Sequence, residues 1–209
     1  MLTDHPSYTS LSDAEKAILD AALTEFGRAG LPGARMQDIA DRAGINKAML
    51  HYYFRSKDKL YEEVLTRVVE SFMTSIEAAL DSEDTFSAQL RALLDAYLRA
   101  HMSRPEVVGL WVNENLNGAP VARRLLGPER GARGPRRLLC WIEDAVREGH
   151  IRPVDPLQFM ITFLGSVVIY MIGMPMFSTF RPELARGGEE EIRARVDHLH
   201  TLFYHGLKP

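Results

Sequence analysis

The sequence predicts an all-α fold, and three observations support this prediction. Apolar residues recur three and four positions apart along most of the chain, as they do on the buried face of a helix. Proline and glycine separate these segments, and no stretch alternates apolar and polar residues in the manner of a strand. With 46% hydrophobic and 25% charged residues among 209, the chain has the composition of an ordinary globular protein.

The first helix is predicted to begin just after Ser12, following a flexible leader over residues 1–10. Ser12 and Glu15 have the spacing of a capping box, in which each side chain satisfies a backbone N–H of the other. Gly30 is predicted to end this helix. The apolar stripe between these ends consists of Ile18, Leu19, Ala22, Leu23 and Phe26.

Two short helices joined by a tight turn are predicted next. Residues 36–43 place apolar side chains on one helical face, and Gly44 interrupts them. Asn46 can then cap a second short helix over 47–54. Two helices of this length with a glycine in the turn are the sequence form of a helix-turn-helix. A long helix resumes at residue 58.

The second of these short helices lies in a basic segment. Between residues 42 and 59, five Lys or Arg side chains stand against a single acid, Asp58. His51, Tyr52 and Tyr53 add side chains that can donate hydrogen bonds to phosphate oxygens. Duplex DNA requires cations and donors for its phosphates and a helix narrow enough for the major groove. The segment therefore predicts DNA contact, although the net charge of −3 does not.

The remaining helices are predicted over 86–102, near 105–117, over 136–149, over 157–177 and from Glu189 to the end. Between Phe159 and Phe177 no residue is charged. This segment has three interpretations: a membrane span, a helix buried within the protein or its dimer, or the wall of a ligand pocket. We favour burial, because the rest of the chain has a globular composition.

The landmarks between Ile18 and Leu65 carry a family resemblance. They are Phe26, Gly30, Ile39, Ala40, Ala43, Gly44, Ile45, Leu50, Phe54, Ser56, Lys57 and Leu60. In type and spacing they resemble the DNA-binding domain of the TetR family of transcriptional regulators. The junction at 149–156 is similar to a turn near the C-terminal helices of many members. The rest of the chain resembles the family only in helical architecture.

The resemblance implies a helix-turn-helix DNA-binding domain over 11–57 and a helical effector-binding and dimerisation domain over 58–209. It implies a ligand-responsive regulator, in particular a repressor that a small apolar or aromatic molecule releases from a pseudo-palindromic operator. The homodimer would form through helices near 136–149 and 157–177. Its recognition helices would lie one DNA turn apart, roughly 34–36 Å.

The resemblance also implies which residues contact DNA. These are Arg35, Asn46, Lys47, Met49, His51, Tyr52, Tyr53 and Lys57. Lys47 would meet a phosphate or a guanine edge, and Met49 would face base edges. Tyr53 and Lys57 would anchor phosphates on either side of the groove. Arg35 stands where the family has Thr or Ser, so it cannot cap the helix by accepting a hydrogen bond.

Aromatic, methionine and polar residues of the later helices are the candidates for contact with the effector. They are Tyr97, His101, Trp111, Asn115, Met160, Phe163, Tyr170, Met174 and Phe177. Many aromatic and methionine side chains favour an apolar or flat ligand, while ordinary core packing is the alternative interpretation.

Catalytic and metal-binding motifs are missing from the sequence, which has no GxSxG, GxxxxGK[ST], CxxC or HExxH pattern. We therefore expect no catalytic residue, no metal, no cofactor and no enzyme activity. The alternative is a helical small-molecule-binding protein, or an enzyme with a degenerate DNA-binding domain that would use Glu114, His101 or Tyr170. The lone Cys140 and the absence of a signal pattern favour a cytoplasmic protein without membrane attachment.

Overall fold

A computed structural model describes residues 11–82, 85–127, 133–182 and 188–208. These residues form ten α-helices and no strand, so the all-α prediction is confirmed. The predicted leader over 1–10 lies outside the described residues. The helices are α1 Asp13–Gly33, α2 Met36–Ala43, α3 Lys47–Phe54, α4 Lys57–Asp81, α5 Phe86–Ser103, α6 Pro105–Leu116, α7 Pro120–Leu126, α8 Arg133–Arg147, α9 Pro156–Phe177 and α10 Glu189–Leu207.

The helices pack as two compact units. The first unit contains the described residues within 1–72 and 104–132, and the second contains those within 73–103 and 133–209. Helices α6 and α7 therefore pack with the helix-turn-helix, whereas the predicted functional division at residues 57 and 58 assigns them to the effector domain. That functional boundary stays a prediction.

Local sequence determines the ends of the first helices as predicted. The N–H of Glu15 donates to the Ser12 hydroxyl at 3.3 Å, and the N–H of Ser12 donates to the Glu15 carboxylate at 2.9 Å. Asn46 caps α3 by accepting from the N–H of Met49 at 2.8 Å. At Gly30 the backbone leaves helical geometry, with φ 66° and ψ 176°, so α1 is kinked there before a short last turn.

The core of the first unit combines α1, α2, α3 and the start of α4 with α6 and α7. Leu50 of α3 and Leu110 of α6 are fully buried in it. The rings of Phe26 and Tyr61 meet edge to face with centroids 4.9 Å apart. The helix-turn-helix thus shares one core with α6, although α6 is distant from it in the sequence.

Helix α9 has one buried face and one exposed apolar face. Phe163, Val167 and Tyr170 are buried in the second unit. On another face, large apolar side chains are between 47% and 62% exposed. This α9 apolar stripe consists of Leu157, Ile161, Ile169, Ile172 and Met176. The prediction that 157–177 is buried therefore does not hold within a single chain.

Among the described helices, α9 alone is long and apolar enough to cross a membrane. Length and composition do not establish a span, because a core or interface helix of a globular protein meets the same criterion.

Candidate functional site

The turn between α2 and α3 depends on a left-handed glycine. Gly44 has φ 69° and ψ 26°, a conformation that side chains with a Cβ disfavour. The N–H of Ile45 then donates back to the carbonyl of Ala40 at 3.1 Å, which closes the end of α2. Asn46 starts α3 directly afterwards. This short connection fixes the angle between the two helices.

A buried carboxylate holds α2 against α1. Glu25 is only 3% exposed, and both of its oxygens accept hydrogen bonds from arginines. Arg28 donates at 2.7 Å, and Arg42 donates twice at 2.9 and 3.1 Å. The hydrogen bond from Arg28, together with that from Arg42, lowers the pKa of Glu25 below its ordinary value. This clamp is not predictable from sequence, since no local pattern links Glu25 to Arg42.

Most of the predicted DNA contacts lie on one exposed surface. Around α3, Asn46, Lys47 and His51 are exposed, Met49 is 41% exposed and Tyr52 is 81% exposed. Leu50 points the other way, into the core. This eight-residue helix presents the ammonium of Lys47, the thioether of Met49 and the exposed ring of Tyr52. Such a surface suits a groove lined with phosphates and base edges.

Two of the predicted DNA-contacting residues, Asn46 and His51, already place a polar atom against the protein backbone. The Oδ1 of Asn46 is occupied by the cap of α3. The Nδ1 of His51 lies 3.4 Å from the carbonyl oxygen of Arg55, so only its Nε2 faces outward without this restraint. Arg35 precedes α2 without any side-chain capping bond and is exposed, as its chemistry predicts.

Lys57 and Tyr53 are less accessible than the other predicted contacts. The Lys57 ammonium donates to the carbonyls of Pro32 at 3.3 Å and Ala34 at 3.0 Å, which ties the start of α4 to the end of α1. Tyr53 is half-buried and packs against the core of the first unit. The role of both residues as phosphate anchors stays a prediction. Lys57 also braces the start of α4 against the end of α1.

Three of the predicted effector contacts form a closed aromatic cluster in the second unit. The ring centroid of Tyr97 lies 4.4 Å from that of His101 and 5.9 Å from that of Phe163. Burial lowers the pKa of His101 and raises that of Tyr97. Met160 lines a narrow apolar cleft beside Phe163. The three rings therefore pack against one another inside the second unit.

The other predicted effector contacts are not brought to this cluster. Trp111 packs against the core of the first unit, and the exposed Asn115 donates to the Trp111 carbonyl at 2.8 Å. In the second unit, Tyr170 lies under the guanidinium of Arg195 at 4.7 Å, and burial raises its pKa. Two further residues, Met174 and Phe177, are half-buried near the end of α9.

A cavity of about 270 Å³ lies beside α8 in the second unit. Trp141 forms part of its wall, donating through Nε1 to Gln89 at 2.7 Å and stacking on Phe86 at 4.7 Å. Trp141 also lines the apolar cleft that contains Phe159 and Phe163. One indole therefore separates the cavity from that cleft. The sequence does not distinguish Trp141 as a cavity residue, because a tryptophan on an amphipathic helix is typical of ordinary core.

Comparison with known proteins decides the family. The model of "Bacterial regulatory proteins, tetR family" matches residues 18–64. The transcriptional regulator BetI of Rhizobium meliloti is 31% identical over 151 residues, which cover 68% of this chain and 74% of that protein. The chain belongs to the tetR family.

Longer matches agree with this membership. The Escherichia coli K12 transcriptional regulator RutR is 27% identical to this tetR-family chain over 201 residues, covering 96% of this chain and 93% of RutR. The ketosteroid transcriptional regulator KstR2 of Mycobacterium tuberculosis has the same fold, with a TM-score of 0.72 at 20% identity over 95% and 96% of the two chains. This tetR-family chain is a DNA-binding transcriptional regulator. Its curated relatives are transcriptional regulators of this family, so the prediction of no enzyme activity is confirmed.

Glu114, a candidate acid or cation-binding group in the sequence, has a different role in this tetR-family regulator. It is 2% exposed and accepts from the Tyr61 hydroxyl at 2.8 Å. It also accepts from the N–H groups of Val121 at 2.7 Å and Ala122 at 2.9 Å. Burial, together with the bond to Glu114, raises the pKa of Tyr61. A carboxylate with these three partners is structural, and nothing supports the alternative of an enzyme.

Proposed function

We propose that this regulator is a repressor that binds a pseudo-palindromic operator as a homodimer and is released by a small, uncharged, apolar or aromatic molecule. The observation that carries the proposal is the exposed surface of α3, held on a rigid core by the clamp of Glu25. A rigid support matters, because base readout requires side chains to be placed to within fractions of an ångström.

The contacts on DNA divide into two groups. Met49 and Tyr52, exposed and with few polar atoms, would read base edges and sugar or thymine methyl groups. Arg35 and Lys47 would neutralise phosphates, and Arg42, half-exposed while paired with Glu25, presents a further cation. The first group would determine sequence preference, and the second would determine affinity and its salt dependence.

The homodimer would form through α9 and α10 rather than through α8 and α9. The predicted segment 136–149 exposes only charged side chains along the described part of α8: Arg136, Arg137, Glu143 and Arg147. By contrast, the α9 apolar stripe is exposed, and Leu202 of α10 is 61% exposed. A two-fold contact that covers both would bury apolar surface on each subunit. We therefore replace 136–149 with α10 in the proposed interface.

The effector would bind around Trp141. A turn of its ring away from Phe86 would join the 270 Å³ cavity to the cleft beside Phe163, which gives a ligand a polar end and an apolar end. Charged groups on the cavity wall already have partners: Arg137 pairs with Asp81, and Asp144 pairs with Arg147. A charged ligand would have to displace one of these pairs, so an uncharged molecule fits better.

A selection experiment tests this function. The protein would be used to select duplexes from a random library, and the selected DNA would be mapped by footprinting. The proposal expects a pseudo-palindrome with two protected half-sites centred one helical turn apart. Uncharged aromatic and acyl compounds would then be screened for release of that DNA and for a change in Trp141 fluorescence in a Trp111→Phe background.

TetR-family regulators act in the cytoplasm, and we propose the same location here.

A further inference from the structure

Two neighbouring residues of α6, Asn113 and Glu114, bind three other helices of the first unit. Neither residue lies on the surface proposed for DNA, and neither lines the cavity beside Trp141. Asn113 is half-buried and Glu114 is buried. Their side chains leave the same turn of α6 but reach different neighbours, so this turn connects elements that are distant in sequence.

Glu114 joins α6 to α4 and α7. Its Oε2 accepts from the Tyr61 hydroxyl of α4, and its Oε1 accepts from two N–H groups at the start of α7. The first N–H groups of a helix have no partner within the helix, so a carboxylate there satisfies them and also faces the positive end of the helix dipole. The Glu114 carboxylate therefore connects the start of α7 and the side of α4 to the same turn of α6.

Asn113 joins α6 to α1. Its Nδ2 donates to the carbonyl of Gly27 at 3.1 Å and to that of Gly109, one turn back on α6, at 2.9 Å. The backbones touch at this point, since a Cβ on Gly109 would overlap the Gly27 carbonyl and a Cβ on Gly27 would overlap that of Glu106. At this crossing no side-chain layer separates the two helices, so a shift of α6 would act directly on the backbone of α1.

Two further contacts connect this turn of α6 to the elements around α3. Two residues before Gly27, Glu25 holds α2 through Arg42. Four residues before Tyr61, Lys57 ties α4 to carbonyls at the end of α1. A displacement of α6 would therefore shift α1 and α4 together, and α3 with them through the shared core.

We propose that Asn113 and Glu114 are positioning residues that hold α1 and α4 in the arrangement that binds the operator. The inference rests on the proposed function, because it concerns the operator that α3 is proposed to bind. The pair contributes to discrimination between operator and other DNA, because phosphate contacts tolerate a small tilt of α3 and base contacts do not.

Two variants and one matched control test this inference. Asn113→Ala and Tyr61→Phe each remove one hydrogen bond between helices. Asn115→Ala is the control, since the Asn115 side chain is on the same helix and donates to the carbonyl four residues back, at 2.8 Å. Affinities would be measured on the selected duplex and on a scrambled duplex of equal length, at a temperature where circular dichroism shows each variant folded.

The expected result is a loss of about tenfold in affinity for the selected duplex in Asn113→Ala and Tyr61→Phe, the effect of one buried hydrogen bond. Affinity for the scrambled duplex stays unchanged, and Asn115→Ala binds both as the unchanged protein does. If a variant has a lower melting temperature but the same ratio of affinities for the two duplexes as the unchanged protein, the inference is overturned and the proposed function is not. Equal affinity of the unchanged protein for both duplexes would overturn the proposed function and the inference together.

Discussion

Glu25 of α1 and Arg42 of α2 are separated by 17 positions in the sequence, yet Nη2 of Arg42 lies 2.9 Å from the carboxylate of Glu25. The pair places an arginine at the edge of the DNA-binding surface and keeps α2 from sliding along α1. We therefore expect stability and DNA affinity to depend on the same carboxylate.

Glu25→Gln is expected to lower the free energy of unfolding by about 1–2 kcal/mol, because a neutral amide replaces a buried acceptor of three charge-assisted hydrogen bonds. The arginines are half-exposed, so water limits the loss. Urea unfolding measures it. Asp95→Asn, which breaks an exposed pair with Arg99, is the control and should change stability by less than about 0.5 kcal/mol. Equal effects of the two changes would argue against the clamp.

Lys57→Ala is expected to lower stability as well as DNA affinity, since the ammonium bonds to the carbonyls of Pro32 and Ala34. Loss of these bonds should cost about 1–2 kcal/mol in thermal or urea unfolding. Lys59→Ala removes an exposed lysine two positions away and should leave the midpoint nearly unchanged. If Lys57→Ala left the unfolding midpoint unchanged and only reduced the salt slope by about one, Lys57 would be a phosphate contact without a bracing role.

Met49→Ala is expected to change which duplex the protein prefers, whereas Lys47→Ala should weaken binding to all duplexes alike. The reason is that a thioether makes apolar contacts with particular bases and an ammonium attracts any phosphate. Competition of the selected duplex against single-base variants measures both effects. An equal loss on every sequence for Met49→Ala would remove its base-reading role.

Ile169→Glu is expected to convert the dimer to a monomer and to abolish tight operator binding, because it places a charge within the α9 apolar stripe. Sedimentation velocity measures the mass. Arg136→Glu on α8 is the control and should stay dimeric, since α8 exposes charged side chains along its described length. The opposite outcome, a monomeric Arg136→Glu and a dimeric Ile169→Glu, would contradict an interface built on the α9 apolar stripe and would favour 136–149 instead.

Stability should fall as the pH is lowered from about 6.5, the pKa of histidine in an unfolded chain. Burial holds the pKa of His101 below that value in the folded protein, so the unfolded state takes up a proton first and protonation favours unfolding. The loss continues until the pH reaches the lowered pKa of the folded state. Melting temperatures at pH 7.5 and 5.5 measure it for the unchanged protein, for His101→Asn and for the exposed-site control His205→Asn. A pH response equally large in His101→Asn would assign the effect to other groups.

Sequence predicted the features of this regulator that depend on neighbours along the chain. The cap of Ser12, the break at Gly30 and the cap of Asn46 all involve residues within four positions, so their chemistry is legible in the sequence. The exposed residues of α3 follow from the helical period once its buried Leu50 is placed.

Features that depend on pairs distant in sequence could not be predicted in the same way. Tyr61 and Glu114 are 53 positions apart, and nothing in either local pattern shows that a polar side chain will be buried against the other. The sequence places the dimer surface on 136–149 and 157–177, and the proposed replacement of 136–149 by α10 depends on which face of each helix the chain itself covers. The same limit applies to Trp111 and Asn115, which lie in the first unit whereas the other predicted effector contacts lie in the second.

The most direct test of the central claim is a fluorescence anisotropy titration of the protein on its selected duplex in the presence of excess scrambled DNA at 150 mM salt. The account predicts binding of one dimer per duplex, at least about a thousandfold tighter than to the scrambled DNA. Binding that the competitor abolishes, or that is equal for both duplexes, would contradict a sequence-specific regulator that reads DNA through α3.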